Sequence, residues 1–396
     1  MGIRPKILLV GLENFGTARL PRELQAAGFL VGLACRPQSF LAQTRFFDER
    51  FSLGSKHHGR GLMAALRSVV AAWKPDWVMP MDDRTALFLA QVCRWNQANG
   101  RDAALARLLE RSLGNPVAVL AAADKWQTWQ AAEQTGIRVP AARLVRRPRD
   151  VSDFVAQHGF PVVLKHCFSH GGQGVHICQN DEPVQTALTR LGKKKSLSGR
   201  FLDWREKFRG RQMDDRWLPA SNERMVSKFI AGQPAMLQAV AIEGRMLGAL
   251  EAVAEKTFPH ETGPASVVRF IRHDGMRQAA QTLLARWKLS GFVAFDFILD
   301  EQNRAWFLEC NPRPIPISHL GSLVGEDLCR RFYSHLTAAP PPVEKTFQEL
   351  VVAHFPKEQR RDPESPWLQR GLHDVPMGDP ALKRALENEP MPWPLD

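Results

Sequence analysis

Two acidic side chains stand on segments whose hydrophobic pattern predicts the two strands of one hairpin. Residues 292–299 alternate between two apolar faces, and Asp296 is the only charge among them. After a polar turn, residues 305–311 run back and carry Glu309. An even-length turn brings the two carboxylates to one face, where burial would require a cation, a shared proton or water. The alternative is a hairpin whose charges face solvent.

Asn311 and Arg313 extend the same face, because extended chain repeats its side-chain direction at every second residue. Two carboxylates and an amide oxygen, with no His or Cys constellation nearby, are hard oxygen ligands. Such ligands suit Mg²⁺, which usually completes its shell with water and substrate phosphates. Arg313 would then complement a phosphoryl group. These residues predict a magnesium and phosphate site at the hairpin.

The segment Glu309-Cys310-Asn311-Pro312-Arg313 begins thirteen residues after Asp296. This arrangement resembles the metal-binding end of the ATP-grasp superfamily, the carboxylate-amine and carboxylate-thiol ligases. The resemblance implies that ATP is the cofactor and that Asp296, Glu309 and Asn311 hold Mg²⁺ on its phosphates, with Mn²⁺ as the alternative ion. It also implies a catalytic Arg313 that meets the transferred phosphoryl group or the acyl phosphate.

Further segments resemble the phosphate-binding parts of that superfamily and follow in the same order. Lys125, in an Asp-Lys pair placed before a glycine turn, takes the position of a lysine on the ATP phosphates. Lys165 ends a predicted strand and is expected to act as a point charge on phosphate, in both binding and catalysis. The glycine loop after it lets backbone N–H groups turn toward an anion. The loop residues expected to bind the nucleotide are Ser169, Gly171, Gly172 and Gly174.

The segment 224–232 is a short predicted strand that ends in a glycine turn. It resembles the hinge that grips the adenine edge through its backbone. Ser227 and Pro234 depart from the acidic residues common at these places, which leaves the ribose contacts open, with Glu223 as a substitute. The hinge residues expected to bind the nucleotide are Lys228, Phe229 and Ile230.

Substrate contacts are expected at two other places. The loop 82–84 follows a predicted parallel strand, and open α/β sheets bind ligands at the carboxyl ends of such strands. A helix cap at Asp83 is an equal alternative. The segment 262–269 resembles a motif of a bacterial ATP-grasp subgroup, in which an arginine would meet a carboxylate, although a purely structural turn is also open. The substrate candidates are Asp83, Arg84, Ser266 and Arg269, and Arg269 is also a catalytic candidate.

Hydrophobic periodicity predicts the elements that must position these residues. Strand and helix patterns alternate up to residue 80, which is typical of a doubly wound parallel sheet. Together with the resemblance, this predicts an α/β fold in which a pre-ATP-grasp domain precedes a two-lobed α+β ATP-grasp core. The predicted parts are the first domain at 1–115, a small lobe at 116–230, a large lobe with the metal site at 231–340, and an irregular, proline-rich tail at 341–396.

The composition narrows the class of protein. The chain has 396 residues, of which 44% are hydrophobic, and a formal net charge of +12. No apolar run approaches the ~18 residues of a membrane span and no signal segment opens the chain, so a cytoplasmic protein without a membrane partner is expected. The six cysteines lack paired short spacings. Much of the basic excess lies in an insertion at 193–216. Because the sequence lacks nucleic-acid-binding motifs, we predict no nucleic-acid partner.

The resemblance implies ATP-dependent ligation. A carboxylate would be activated as an acyl phosphate and joined to an amine, with release of ADP and phosphate. The implied partners are small-molecule carboxylate and amine substrates, and a homodimer is suggested by analogy alone. Two alternatives stay open. One is a carboxyphosphate-type carboxylase subunit, and the other is an ATP-binding regulatory protein without catalysis.

Overall fold

The computed structural model of the chain describes residues 4–12, 16–54, 59–168, 175–180, 184, 223–343 and 345–389. The predicted glycine loop, with Ser169, Gly171, Gly172 and Gly174, lies outside the described residues, as does the basic insertion at 193–216. Within the described parts, the strands form three β-sheets. The predicted α/β fold class is confirmed, whereas the exact domain boundaries stay a prediction.

The first sheet is parallel and belongs to the N-terminal domain. Its strands are Lys6–Gly11 (β1), Leu30–Cys35 (β2), Glu49–Ser52 (β3) and Trp77–Pro80 (β4), in the order β3-β2-β1-β4. The helices are Leu20–Ala27 (α1), Gly59–Trp73 (α2), Asp83–Ala98 (α3) and Ala103–Leu113 (α4). Strands β1 and β4 are almost entirely apolar and buried, as expected for a parallel sheet that is covered on both faces. The predicted doubly wound domain is confirmed.

The second sheet is antiparallel and forms the small lobe. Helices Pro116–Ala122 (α5) and Lys125–Gln134 (α6) precede it, and Arg149–His158 (α7) packs on it. The strands are Ala142–Val145 (β5), Val162–His166 (β6), Val175–Cys178 (β7) and Arg224–Lys228 (β8), in the order β5-β8-β6-β7. Asp124 lies between α5 and α6 and belongs to neither helix. Asp124 instead caps α6 by accepting the N–H groups of Trp126 and Gln127.

The third sheet carries the hairpin. Its strands are Gln233–Ile242 (β9), Arg245–Thr257 (β10), Ala265–Ile271 (β11), Gly291–Leu299 (β12), Ala305–Asn311 (β13), Val351–Ala353 (β14) and Leu372–His373 (β15). The order is β13-β12-β9-β10-β11-β14-β15. Helix Asp274–Trp287 (α8) packs with Phe295, and helix Leu328–Thr337 (α9) packs with Phe292. The two helices cover opposite faces, because these phenylalanines point to opposite sides of β12.

The prediction of an irregular tail beyond residue 340 is wrong. Strands β14 and β15 extend the third sheet, and the helices Lys357–Arg361 (α10), Trp367–Arg370 (α11) and Pro380–Glu387 (α12) follow. The buried carboxylate of Glu358 accepts hydrogen bonds from Ser266, Arg361 and Ser365, which fixes α10 to β11. These elements are shorter than the windows in which hydrophobic periodicity can be recognised, so the sequence pattern missed them.

The end of the tail packs on the N-terminal domain. Leu382 and Leu386 of α12 share a small core with Ala18, Phe40 and Phe355. The tail therefore connects the third sheet back to α1 and its surroundings. Among the described residues, no helix combines the length and the apolar character needed to cross a bilayer.

Candidate active site

The hairpin of β12 and β13 brings the two predicted carboxylates together. Asp296 lies opposite Glu309 in the antiparallel register, so the predicted shared face is confirmed. Asn311 Nδ2 lies 3.0 Å from Asp296 Oδ2 and 3.4 Å from Glu309 Oε1. A register shift follows the acidic pair and leaves Leu308 as the extra residue on β13. The two carboxylates and the amide thus converge at one point.

Burial and neighbouring charges shift the pKa values of the acidic pair in opposite directions. Burial, and then the neighbouring Glu309, raise the pKa of Asp296 well above its ordinary value. Burial also acts upward on Glu309, but Lys125 Nζ, 2.8 Å from its carboxylate, lowers the pKa of Glu309 to about 2. Two ionised carboxylates at directly opposite positions of a hairpin repel each other unless a cation lies between them.

These residues fit a hard divalent ion such as Mg²⁺. In the described part of the chain, no cluster of three or more His, Cys, Asp or Glu side chains could hold a metal. A magnesium site here would therefore use the two carboxylates and the Asn311 amide, with its remaining ligands from water or phosphate. This donor set is oxygen-rich and incomplete, which is typical of magnesium bound together with a nucleotide.

Both predicted phosphate lysines lie beside the acidic pair. Lys125 is the first residue of α6 and contacts Glu309, as described above. Lys165 lies on β6, and its Nζ is 3.9 Å from the centroid of the Trp129 ring. Burial, and then the charge of Lys125, lower the pKa of Lys165 to about 7. Two buried lysines beside each other favour a polyanion, so the geometry fits the phosphates of a nucleotide.

Sequence reasoning missed Trp129, which joins the elements of the site. Its ring supports Lys165, and its Nε1 donates a hydrogen bond to the carbonyl of Leu308 on β13. The available signal was spacing, because Trp129 stands four residues after Lys125 on one helix and so shares its face. Helix α6 therefore presents both a lysine and an aromatic ring to the site.

We expect Asp124→Ala to lower the free energy of unfolding by about 1 kcal/mol, the usual cost of losing a helix cap. It should also weaken MgATP binding about threefold or more, because Asp124 fixes the turn that carries Lys125. Urea unfolding and a binding titration would measure the two effects. Asp102→Ala removes the corresponding cap of α4 and is the matched control. Equal MgATP affinity in both variants would contradict a role for Asp124 beyond stability.

Arg313 follows β13 and is paired with the N-terminal domain. Its Nε and Nη2 donate to the two carboxylate oxygens of Asp83 at 2.7 and 2.8 Å, and Nη1 donates to the carbonyl of Pro314. Asp82, not Asp83, caps α3, because Asp82 Oδ1 accepts the N–H of Thr85. The cap predicted at Asp83 is therefore wrong by one residue, and Asp83 instead stands beside the hairpin.

The remaining substrate candidates lie on α3 and β11. Arg84 is exposed on α3. Ser266 lies on β11, three strands from β12, and its fully buried hydroxyl donates to Glu358, while its substrate contact stays a prediction. Arg269, on the same strand, forms ion pairs at 2.7 and 3.0 Å with the carboxylates of Glu255 and Glu349. Its substrate and catalytic roles stay predictions.

The predicted adenine hinge follows β8. The N–H groups of Lys228 and Phe229 donate to the carbonyls of Ala141 and Pro161, which fixes the start of the hinge to the small lobe. Ile230 continues the segment toward Gly232. A Cβ at Gly232 would lie 2.2 Å from the Leu299 carbonyl oxygen, so glycine permits the close approach to the end of β12. Nucleotide binding by Lys228, Phe229 and Ile230 stays a prediction.

A cavity of about 260 Å³ opens beside the hinge. Its wall includes Pro234, which lies opposite Ile298 and two residues before Met236, the residue opposite Asp296. The cavity therefore begins about 7 Å along the strand from the acidic pair. Its other lining residues are Ala254, Glu255, Lys256, Thr257, Glu261 and Arg361.

Comparisons with known proteins agree with this architecture. Residues 122–213 match the family described as RimK-like ATP-grasp domain. A carbamoyl phosphate synthase large chain from Gemmatimonas aurantiaca is 30% identical over 127 residues, which is 32% of this chain and 11% of that protein. Pyruvate carboxylases are also matched, again over a small part of their length, 13% for the one from Pichia angusta. The chain thus spans about an eighth of the length of these curated relatives.

Solved structures resemble the chain over most of its length. The biotin carboxylase domain of Hydrogenobacter thermophilus 2-oxoglutarate carboxylase, a dimer in complex with MgADP, ADP and bicarbonate, has a TM-score of 0.59 and 15% identity, covering 89% of this chain and 74% of that one. N5-carboxyaminoimidazole synthetase from Staphylococcus aureus has a TM-score of 0.60 and 13% identity, covering 89% and 82%. At these identities the likeness shows the fold.

The parallel N-terminal sheet and the two sheets after it, the last of which carries the acidic hairpin, form a fold that the chain shares with these solved structures. Residues 122–213 are the part of the chain that matches the RimK-like ATP-grasp domain. The resemblance stated from the sequence is therefore confirmed.

Proposed function

We propose that the chain is an ATP-dependent ligase that forms a carbon-nitrogen bond and releases ADP and phosphate. The observation that carries this proposal is the convergence of the Asp296 and Glu309 pair with Lys125 and Arg313. Acidic ligands for a divalent ion and cations for phosphate occupy one point between the lobes. This combination is what the transfer of a phosphoryl group requires from a protein.

Each residue has a distinct role in this proposal. Asp296, Glu309 and Asn311 would hold Mg²⁺, with Mn²⁺ as the alternative, and the ion would neutralise and orient the phosphates. Lys125 and Lys165 place positive charge on the same phosphates. The hinge residues Lys228, Phe229 and Ile230 and the loop residues Ser169, Gly171, Gly172 and Gly174 belong to the nucleotide site on the basis of their order along the chain.

The proposed reaction has two steps. The oxygen of a substrate carboxylate attacks the γ-phosphorus of ATP, ADP leaves, and an acyl phosphate forms. An amine then attacks the acyl carbon, the carbon-oxygen bond to phosphate breaks, and the amine loses a proton. The contribution of the protein is positioning and charge neutralisation, with Arg313 directed at the transferred group. A cytoplasmic location is proposed with it, in keeping with six cysteines that are all free and buried.

A carboxyphosphate reaction is the second candidate. One observation favours it, since the Hydrogenobacter thermophilus structure of the same fold is described with bicarbonate. In that reaction bicarbonate would replace the organic carboxylate as the acceptor of the phosphoryl group. The chain's own acidic pair and cations would act in the same way.

Substrate pools would test the proposal. MgATP is offered with pools of organic carboxylates and amines, with and without bicarbonate, and the release of ADP and phosphate is followed. Release that requires both a carboxylate and an amine, with a product mass equal to the two less water, would support ligation. Release that requires bicarbonate would support the second candidate. MgATP binding without release from any pool would contradict both.

A further inference from the structure

Trp129 contacts both the small lobe and the acidic hairpin. It lies on α6 and is only 3% exposed. The centroid of its ring is 3.9 Å from Lys165 Nζ on β6, and its Nε1 donates a hydrogen bond to the Leu308 carbonyl on β13. These two strands belong to different sheets, and β13 lies at the edge of its sheet. One side chain therefore touches the phosphate lysine and the strand that carries Glu309.

The ring of Trp129 determines where the Lys165 ammonium lies. Lys165 is only 6% exposed, and among the residues that the structure describes, its Nζ forms no hydrogen bond or ion pair. The face of an indole attracts an ammonium group without accepting its N–H donors in the way that a carboxylate would. A lysine side chain is long and flexible, so its charge has a defined position only where a contact supports it. Trp129 supplies that contact.

The N–H of Trp129 holds the irregular point of the hairpin. Asp296 pairs with Glu309, whereas Phe297 pairs with Phe307, which leaves Leu308 as the extra residue of a bulge. Such a bulge bends its strand and changes the direction of neighbouring side chains. The carbonyl that accepts the Trp129 N–H belongs to the planar peptide bond between Leu308 and Glu309. The hydrogen bond therefore fixes the backbone from which the Glu309 carboxylate extends.

A second attachment holds the same edge of β13 to the small lobe. The N–H of Phe307 donates to the carbonyl of Arg138, and the Arg138 guanidinium lies 5.5 Å from the centroid of the Trp306 ring. These contacts do not involve Trp129. Substitution of Trp129 is therefore expected to change the geometry of the bulge without detaching β13 from the small lobe.

We propose that Trp129 is a positioning residue that fixes the distance between the Lys165 ammonium and the Glu309 carboxylate, and so aligns the phosphate lysine with the metal ligands of the hairpin. The ring places the cation, and the N–H places the peptide bond before Glu309. This role rests on the proposed function, because it assumes that phosphate and Mg²⁺ bind beside these two groups. It includes no contact of Trp129 with the nucleotide or the substrates.

Titration of ADP, first with a metal chelator and then with magnesium, separates the two contacts of Trp129. The affinity without metal reports the lysines, and the magnesium-dependent gain in affinity reports the hairpin. Trp129→Phe keeps a ring beside Lys165, so the metal-free affinity should stay within about twofold of wild type. It removes the N–H, so the magnesium-dependent gain should be about fivefold smaller or less. Trp129→Leu, which removes both contacts, should also lower the metal-free affinity about threefold or more.

Trp287→Phe is the matched control. Trp287 is a buried tryptophan at the end of α8, and α8 packs with Phe295, on the face of β12 opposite Asp296. The substitution removes an indole N–H from the core without changing the acidic face of the hairpin. Neither the metal-free affinity nor the magnesium-dependent gain should change by more than about twofold, because the two sites share no contact.

The indole N–H resonance of Trp129, measured by NMR in the wild type, is a second readout. It is assigned by its loss in either Trp129 variant. Because the hydrogen bond to Leu308 connects the ring to the peptide bond before Glu309, magnesium added to the ADP complex should shift this resonance more than that of Trp287. A Trp129 resonance that stays in place while magnesium raises the ADP affinity would overturn the role.

The outcomes separate this role from the proposed function. A wild-type protein that binds no ADP, or gains no affinity from magnesium, would overturn both. A full magnesium-dependent gain in Trp129→Phe would overturn the role of Trp129 and leave the proposed function standing. A fall of the metal-free affinity and of the magnesium-dependent gain by the same factor in Trp129→Phe would show a merely structural role, and would overturn the proposal as well.

Discussion

Glu309→Gln is expected to reduce substrate-dependent ADP release by about 10²–10³-fold, the effect of removing one preorganised electrostatic contact to the transition state. Glutamine keeps the volume of the side chain but removes one of the two charges that would hold a divalent ion. It also leaves Lys125 without the carboxylate that lies 2.8 Å from its Nζ. Steady-state ADP release at saturating MgATP, with the active substrate pool, measures the loss.

The affinity for MgATP should fall much less than turnover in this variant. Lys125 is released from its ion pair and remains available to the phosphates, as does Lys165. Glu301→Gln, in the exposed turn of the same hairpin, is the matched control and should retain full turnover. Turnover of Glu309→Gln within tenfold of wild type would argue against Glu309 as a metal ligand.

The hairpin could be predicted from the sequence because its information is local. The alternation in 292–299 and 305–311 and the polar turn between them determine which side chains share a face. The structure accordingly has Asp296 opposite Glu309. The match to motifs at Lys125 and Lys165 was also local, since each motif lies within a few residues of chain.

The partners of these residues could not be predicted, because they depend on packing between distant segments. Arg313 and Asp83 are 230 residues apart in the chain, and no periodicity relates them. The residue that caps α3 could not be predicted for the same reason. Asp82 and Asp83 are both suitable caps by residue type, and the choice is made by contacts that include Leu12 on another strand. Tertiary contacts of this kind override local preference.

The ion pairs of the site explain how one small region tolerates so many buried charges. Lys125 neutralises Glu309, and Asp83 neutralises Arg313, while burial and the neighbouring Glu309 raise the pKa of Asp296. Lys125 and Arg313 thus each have a carboxylate partner in the chain alone.

A second cluster of charges connects the tail to the rest of the molecule. Asp374, between β15 and α12, contacts His319 Nε2 at 3.1 Å and Arg19 Nε at 3.4 Å. Arg19 also donates to the carbonyls of Asp374 and Phe355. These side chains come from the N-terminal domain, the segment after Arg313 and the tail. The carboxylate of Asp374 therefore joins three parts of the chain.

Asp374→Asn is expected to lower the free energy of unfolding at pH 7 by about 3–5 kcal/mol, the usual cost of removing one partner of a buried ion pair. Burial acts upward on the pKa of Asp374, but His319 and Arg19 lower it far below its usual range. A carboxylate whose folded pKa is lowered stabilises the protein above its unfolded pKa of about 4 and loses this effect as pH falls toward the folded value. Urea unfolding between about pH 3 and pH 8 measures the free energy of unfolding on both sides of that unfolded pKa of about 4.

The difference between wild type and Asp374→Asn should therefore shrink below about pH 4, by at most about 1.4 kcal/mol for each pH unit. Glu349→Gln removes an exposed carboxylate with an ion pair of 3.0 Å and should cost less than about 1 kcal/mol at any pH. A difference that grows as the pH falls would contradict an ionised Asp374. His319, which Asp374 of the tail contacts, lies six residues after Arg313. Loss of this contact should therefore also reduce the turnover of the proposed ligase. A variant that is less stable but fully active would show that the tail only supports the fold.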